Sequence, residues 1–310
     1  GGSRTLYAIV CHRSRRHHVI HTMQEGFGVT RFAAKWIGRL IRAIQTFFRV
    51  IFTPALNAFD TVFDKITKAM GNLREAGVPF GISITATRDN LDVITSEDFR
   101  DFFFHDMGAV YGWIFQYMPI GRKYTLEIMP TPEQRAKLFE WEWQLLRKED
   151  IFVADFWSTA TASDGCIAGA RPGGYFYIDW NGDVMPCVFV PYTVDNVYDA
   201  FKEGKTLNDI IHSGFFKEIR EWQYDYGYKK KPEEHGNWIM PCFIRDHHEK
   251  FMEVADKYNV KPADEDAAHA LQDDGYNKGL IEYDREMEEL TDPVWEEHYL
   301  KAEKEKKVSA

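Results

Sequence analysis

Cysteine is scarce in this chain: four residues, Cys11, Cys166, Cys187 and Cys242, among 310. That is too few, too widely spread, for the disulfide framework of a small secreted domain. No C-x2-C pair occurs, so the usual spacing of structural zinc modules is missing as well. Long apolar runs are also lacking. The most apolar long segment, residues 31–52, meets an arginine or lysine every three to four positions and is not built to cross a bilayer. Residues 1–30 show no signal-peptide pattern, so a cytoplasmic, reducing setting is expected. Basic charge is in deficit, with 38 Lys and Arg against 48 Asp and Glu and a net charge of -10, which argues against nucleic acid as a partner.

What is present describes a soluble globular protein with enough apolar residues, 45%, to bury a full core. The charge is unevenly placed. Residues 1–60 carry nine Lys and Arg and two acids, close to +7, which leaves the remainder near -17. Within that front end, Trp36, Ile37, Leu40, Ile41, Ile44, Phe47, Phe48, Ile51 and Phe52 fall in one helical arc of about 200°. The rest of the helix surface is largely Arg and Lys, and Pro54 closes the segment. Such a helix suits an anionic membrane surface or the groove of a partner protein; it equally suits a cover over an acidic body. His17, His18 and His21, in the irregular stretch before it, read as solvated.

Helix and strand patterns then alternate. FDKITKAMGNLREAG reads as a helix stopped by Gly77, followed by the strand PFGISITAT. SEDFRDFFFHDMG, with Ser96 as N-cap, precedes the strand AVYGWIFQYMPIG. TPEQRAKLFEWEWQLLRKED, with Thr131 as N-cap and Pro132 at the first helical position, precedes IFVADFWST. Three helix-then-strand units predict parallel strands with crossover helices. In the first strand Ser83, Thr85 and Thr87 share one face and Ile82, Ile84 and Ala86 the other. A hydroxyl-lined face at the mouth of a parallel sheet can hold a polar ligand, and the turn from Gln116 to Arg122, which joins Tyr117, Met118 and the cation Arg122, can clamp a flat ring. Strand propensity of threonine and a plain strand-to-turn connection explain both stretches as well.

Beyond residue 160 the chain turns to glycine-rich loops that carry the cysteines. Cys166 lies in SDGCIAGARPGG, where Gly165, Gly169, Gly173 and Gly174 would let backbone N–H groups approach a ligand. Cys187 follows Asn181-Gly182, which predicts a two-residue type I′ turn between two strands. Cys187 and Cys242 both end the string Met-Pro-Cys, whose proline stiffens the backbone before the sulfur. A single buried cysteine is ordinarily a small hydrophobe, but three in rigid loops of one region read as ligands. Because iron–sulfur clusters accept thiolates from distant loops, Cys166, Cys187 and Cys242 are candidate cluster ligands. One iron is then left for Cys11, Asp246, His247, His248 or an exogenous molecule.

GVPFGISITATRDN, GAVYGWIFQYMPIGR, a glycine-flanked cysteine and the N-G-D-x-x-P-C segment that ends at Cys187 resemble the C-terminal half of radical S-adenosylmethionine enzymes with a SPASM or twitch-type auxiliary domain. The resemblance covers residues 58–250. It implies an α/β fold: a partial (β/α) barrel over 58–160 and a small hairpin-and-loop cluster-binding domain over 161–250. Residues 251–310, acidic and mostly helical in pattern, read as a peripheral tail. The resemblance further implies an auxiliary 4Fe–4S cluster on the three cysteines, and S-adenosylmethionine beside Ser83, Thr85, Gln116, Tyr117 and Met118. Glu25-Gly26-Phe27 resembles a turn after the family's fourth strand, so residues 1–57 read as a divergent front end that carries an inserted helix. The family's C-x3-C-x2-C loop and Gly-Gly-Glu segment are absent, and its later C-x2-C-x5-C run is reduced to Cys242. An iron–sulfur oxidoreductase body that cannot cleave S-adenosylmethionine alone is therefore expected, with a partner supplying the radical-generating half. A non-catalytic protein bound to a membrane or partner through residues 31–52, and a zinc-stabilised structural domain, are the competing expectations.

Overall fold

The computed structural model describes residues 57–301. Cys11, the early histidines and the amphipathic segment 31–52 lie outside the described residues. The chain divides into two compact units, one running to Ile84 and resuming over Asp92–Trp113, the other made of Thr85–Leu91 and everything from Ile114 on.

In the first unit, helix α1 (Asn57–Glu75) buries Met70 and ends where Gly77, at φ 66°, donates to the Arg74 carbonyl. The short helix α2 (Leu91–Ile94), which opens in the second unit, is followed by α3 (Glu97–Arg100), capped as expected by Ser96, whose hydroxyl accepts the Phe99 N–H at 3.2 Å. The single helix expected here does not continue in α form. It widens into a π-helical turn over Asp101–Asp106. The run DFFFHD supplies the reason: the wider turn lets the consecutive rings of Phe103 and Phe104 both face inward, with Phe99 and Phe103 centroids 4.6 Å apart.

Strands β1 (Gly81–Ala86), β2 (Tyr111–Gln116) and β3 (Phe152–Asp155) form a sheet in that order. The bonds from Val110 N to Phe80 O and from Tyr117 N to Ala86 O advance in the same sense along both chains, which makes the first pair parallel. Alternation in β1 is as read from the sequence: Ile82, Ile84 and Ala86 are buried, Ser83 and Thr85 half-buried. The Arg-Asp-Asn segment after β1 serves the backbone. Asn90 accepts the Thr87 N–H and donates to the Thr85 carbonyl, while the Arg88 guanidinium donates to the carbonyls of Leu126 and Met129.

In the second unit, helix α4 (Pro132–Lys148) starts with a full capping box. Thr131 accepts the Gln134 N–H and Gln134 returns the bond to the Thr131 N–H at 3.0 Å. Strand β4 (Tyr177–Ile178) pairs antiparallel with β5 (Asp183–Met185), and β6 (Tyr192–Thr193) precedes β7 (Asp195–Asn196), which flanks β5 on its other side. Helices α5 (Val197–Lys202), α6 (Leu207–Ile211) and α7 (Gly214–Asp225) follow. Helix α8 (His248–Lys257) comes next, and strand β8 (Lys261–Pro262) pairs with β6. Helices α9 (Glu265–Gln272) and α10 (Asp274–Trp295) end the unit. Residues 251–301 are not peripheral. Phe251, Val254 and Ala255 join Phe215, Phe216, Ile219 and Phe243 in one core, and Tyr276, Leu280, Tyr283 and Met287 of α10 close on Met129 and Met240 in another. Among the described residues no helix is long and apolar enough to cross a membrane.

Candidate metal centre

Three loops of the second unit carry the cysteines. The first begins at Cys166 and folds back on itself: Tyr175 N donates to Ile167 O at 2.9 Å and Ala170 N to Tyr175 O at 3.0 Å. The turn leaves no room at Gly174, where a Cβ would stand 2.2 Å from the Ile167 carbonyl oxygen. Three of the glycine N–H groups expected to reach a ligand are used within the protein instead. Gly165 donates to Ala160 O, Gly174 to Arg171 O, and Gly169 to Pro186 O at 2.9 Å. The last of these ties the Cys166 loop to the Met-Pro-Cys segment that ends in Cys187.

The connection between β4 and β5 differs from the type I′ turn expected. Asp179 N donates to Asp183 O, Gly182 N donates to Asp179 O, and only Gly182, at φ 87°, has left-handed backbone; Asn181 does not. This is a three-residue loop closed by a glycine bulge. Its cause stands two residues upstream, where the Asp179 carboxylate accepts the N–H groups of Asn181 and Asp183, each at 2.9 Å, and so stabilises the longer turn. The register still delivers Cys187. Its Sγ lies 2.8 Å from the Tyr175 hydroxyl and accepts the Phe189 N–H at 3.4 Å.

Cys242 is held by its own turn. Its N–H donates to Asp246 Oδ2 at 3.1 Å and its carbonyl accepts the Asp246 N–H at 2.7 Å. Asp246 is fully buried between Arg135 of α4, at 2.7 Å, and Arg245, at 2.8 Å. Burial alone would raise its pKa, but the two guanidinium groups outweigh that and hold the carboxyl well below the usual range. Arg245 also donates to Gln116 Oε1 at 3.0 Å, and Gln116 Nε2 donates to Asp155 at the end of β3 at 2.9 Å. The Cys242 turn is thereby bonded to the carboxyl ends of β2 and β3.

The three thiols stand within electrostatic reach of one another. Burial pushes the Cys187 thiol up to about 12, where the charges of Cys166 and Cys242 oppose its ionisation and the Tyr175 bond favours it. Burial raises Cys242 to about 11, Asp246 and Cys166 adding to the effect, and burial raises Cys166 too. Such thiols ionise only when a cation compensates. Among the described residues no three His, Cys, Asp or Glu side chains converge as ligands of a single ion.

Among the described residues, the three candidates for a fourth ligand make other contacts. Asp246 is enclosed by its arginines. His248 presents Nδ1 to the Ile244 carbonyl and Nε2 to Asn277 Oδ1, and His247 presents Nε2 to the Met240 carbonyl. Of the residues expected near S-adenosylmethionine, Gln116 is buried with both ends of its amide bonded, and Met118 packs in the core. Tyr117 is half-buried and donates from its hydroxyl to Lys123 O at 2.6 Å, and Thr85 is half-buried on β1. An open cleft of about 630 Å³ adjoins the same loop, lined by residues 123–128 with Asp273, Gly275 and Tyr276. Sequence reasoning missed Tyr175, Arg135, Arg245 and Asp155. Asp155 carried a readable signal as a lone carboxylate ending the apolar strand IFVAD, and Arg245-Asp246 as adjacent opposite charges in the apolar run after Cys242.

Comparison with known proteins finds a family match over the first two of these loops. The model of the SPASM family, an iron–sulfur cluster-binding domain, matches residues 166–235. The mycofactocin maturase MftC of Mycolicibacterium smegmatis is 31% identical over 180 residues, which cover 52% of this chain and 42% of the relative. The AdoMet-dependent heme synthase of Nitratidesulfovibrio vulgaris is 26% identical over 162 residues, covering 44% of this chain and 42% of the relative. Its counterpart in Oleidesulfovibrio alaskensis is 26% identical over 165 residues, covering 44% and 40%. The chain thus matches about two fifths of the length of each of these relatives. No solved structure matches it.

Proposed function

From the premise that the chain carries a SPASM iron–sulfur cluster-binding domain and is a relative of radical S-adenosylmethionine enzymes, we propose that Cys166, Cys187 and Cys242 hold an auxiliary 4Fe–4S cluster. When bound, such a cluster supplies one-electron transfer, or an iron site at which a substrate is anchored. The chain's own part is to present three thiolates from stiffened loops and to hold the Cys242 turn against α4 and the sheet through Asp246. The single observation that carries the reading is the gathering of three half-buried thiols, from loops up to 76 positions apart in sequence, into mutual electrostatic range.

The parallel strands are read as part of an incomplete (β/α) barrel. Thr85, Gln116, Tyr117 and Met118, at or just beyond the carboxyl ends of β1 and β2, are assigned to an S-adenosylmethionine pocket, with Ser83 on the same face of β1 as Thr85. Support comes from the general placement of ligands at that end of parallel strands. Since the C-x3-C-x2-C loop is absent from these 310 residues, reductive cleavage of S-adenosylmethionine requires that loop from elsewhere, as on a partner protein. An anionic membrane surface is the proposed contact of residues 31–52.

Iron and acid-labile sulfide per chain, measured after anaerobic reconstitution of the parent and of Cys187→Ala, test the cluster. About four irons in the parent with their loss in the variant are expected. No iron in the parent would refute the proposal. A colourless protein holding one zinc would transfer the site to the structural reading.

A further inference from the structure

Tyr175 closes the loop that begins at Cys166, and its phenol reaches to the next ligand along the chain, 2.8 Å from Cys187 Sγ. Its backbone is fixed independently of that contact, by the bonds to Ile167 and Ala170 and by the close approach at Gly174. The ring is half-buried, so the hydroxyl is directed at sulfur from a loop with little freedom to swing away. In the metal-free protein either group can provide the hydrogen of this contact. A cysteine bound to iron is a thiolate and has none, so the shared hydrogen must then belong to the tyrosine. The other two sulfurs are dressed differently: the Gln223 amide and the Ala168 and Phe243 backbone approach Cys166, and the Arg245 backbone approaches Cys242.

We propose that Tyr175 is a positioning residue for the auxiliary cluster, donating an O–H···S hydrogen bond to the Cys187 thiolate and thereby raising the cluster's reduction potential. The inference rests on the cluster reading above. Its physics is general: each added electron makes the cluster and its sulfur ligands more negative, so a donor aimed at a ligand sulfur stabilises the reduced state more than the oxidised one. Removing the hydroxyl while keeping the ring should leave packing and ligation intact and make reduction harder. A tyrosine that merely fills space would change stability and leave the potential alone.

The test is a one-electron redox titration of the reconstituted parent and of Tyr175→Phe, with iron counted in each. Equal iron and a midpoint displaced to more negative potential in the variant are expected. Equal iron with an unchanged midpoint overturns the inference while the cluster reading stands; no iron in the parent overturns both. Should the variant fail to take up iron, resonance Raman spectra of the parent decide. Brief exposure to heavy water exchanges the hydroxyl proton ahead of hydrogen-bonded amide protons, that of Phe189 on the same sulfur included. A shift of the iron–thiolate stretch supports the bond, and an unshifted stretch refutes it.

Discussion

Asp284 of α10 turns its carboxylate towards the start of α8, where Oδ2 accepts the His248 N–H at 2.8 Å and Oδ1 is buried without a partner. Burial pushes its pKa up to about 8; the charge of Asp246 adds to this, while the His248 N–H, Arg135 and Arg245 draw it down. The folded protein therefore holds this proton over a range in which the unfolded chain, with an ordinary aspartate near 3.9, has released it. The stability so gained is complete below the unfolded value and is lost as pH rises through about 8. Asp246 has the opposite sign. Its depressed pKa contributes stability above about pH 4 that is lost as pH falls towards the folded value. Asp284→Asn, which keeps an oxygen for His248, is expected to flatten the fall in stability between pH 5 and 8. At pH 8 it should be the more stable protein by on the order of 2 kcal/mol. Urea unfolding at the two pH values measures this, and equal slopes in parent and variant would refute it. Neither carboxylate announces its state in the sequence, because the pKa follows from which arginine folds against which acid: Arg135 and Asp246 are 111 positions apart.

Elements are legible in proportion to how local their causes are. The Thr131 capping box and the Ser96 cap are written within four residues each and form as the sequence predicts. The Asn181-Gly182 pair misleads because Asp179, just outside it, determines the loop length. The apolar stripe of α10, Tyr276, Leu280, Tyr283 and Met287, repeats every three to four residues and is readable; the acidic residues around it conceal its burial. Close backbone approaches leave no such trace. At Gly174 a methyl group would collide with the Ile167 carbonyl, whereas at Gly173 the space is open and only the left-handed backbone, φ 79°, resists substitution. Gly174→Ala is therefore expected to cost roughly 2–3 kcal/mol and to displace the loop between Cys166 and Tyr175, lowering iron uptake. Gly173→Ala should cost about 1 kcal/mol and retain iron. Thermal melts with iron counts on both variants check the pair, and the reverse ranking would refute the steric account.

At the scale of the whole molecule, charge is divided between a basic front end near +7 and a remainder near -17. If residues 31–52 meet an anionic surface, the full chain should float with vesicles containing acidic lipid at low salt and dissociate as salt screens the arginines. Arg39→Glu with Arg42→Glu should abolish flotation; vesicle binding that survives the double reversal would exclude this segment as the contact. A second whole-molecule property lies in the ion pairs behind Cys242. The SPASM match ends at residue 235, seven positions before that cysteine, and the turn that carries it is bonded through Asp246 to Arg135 of α4 and through Arg245 to Gln116. A segment excised at the family boundary would leave behind one sulfur and the scaffold that aims it. For anyone transplanting the site into another protein, the smallest portable cassette is thus defined by buried salt bridges, and it reaches back to the second parallel strand.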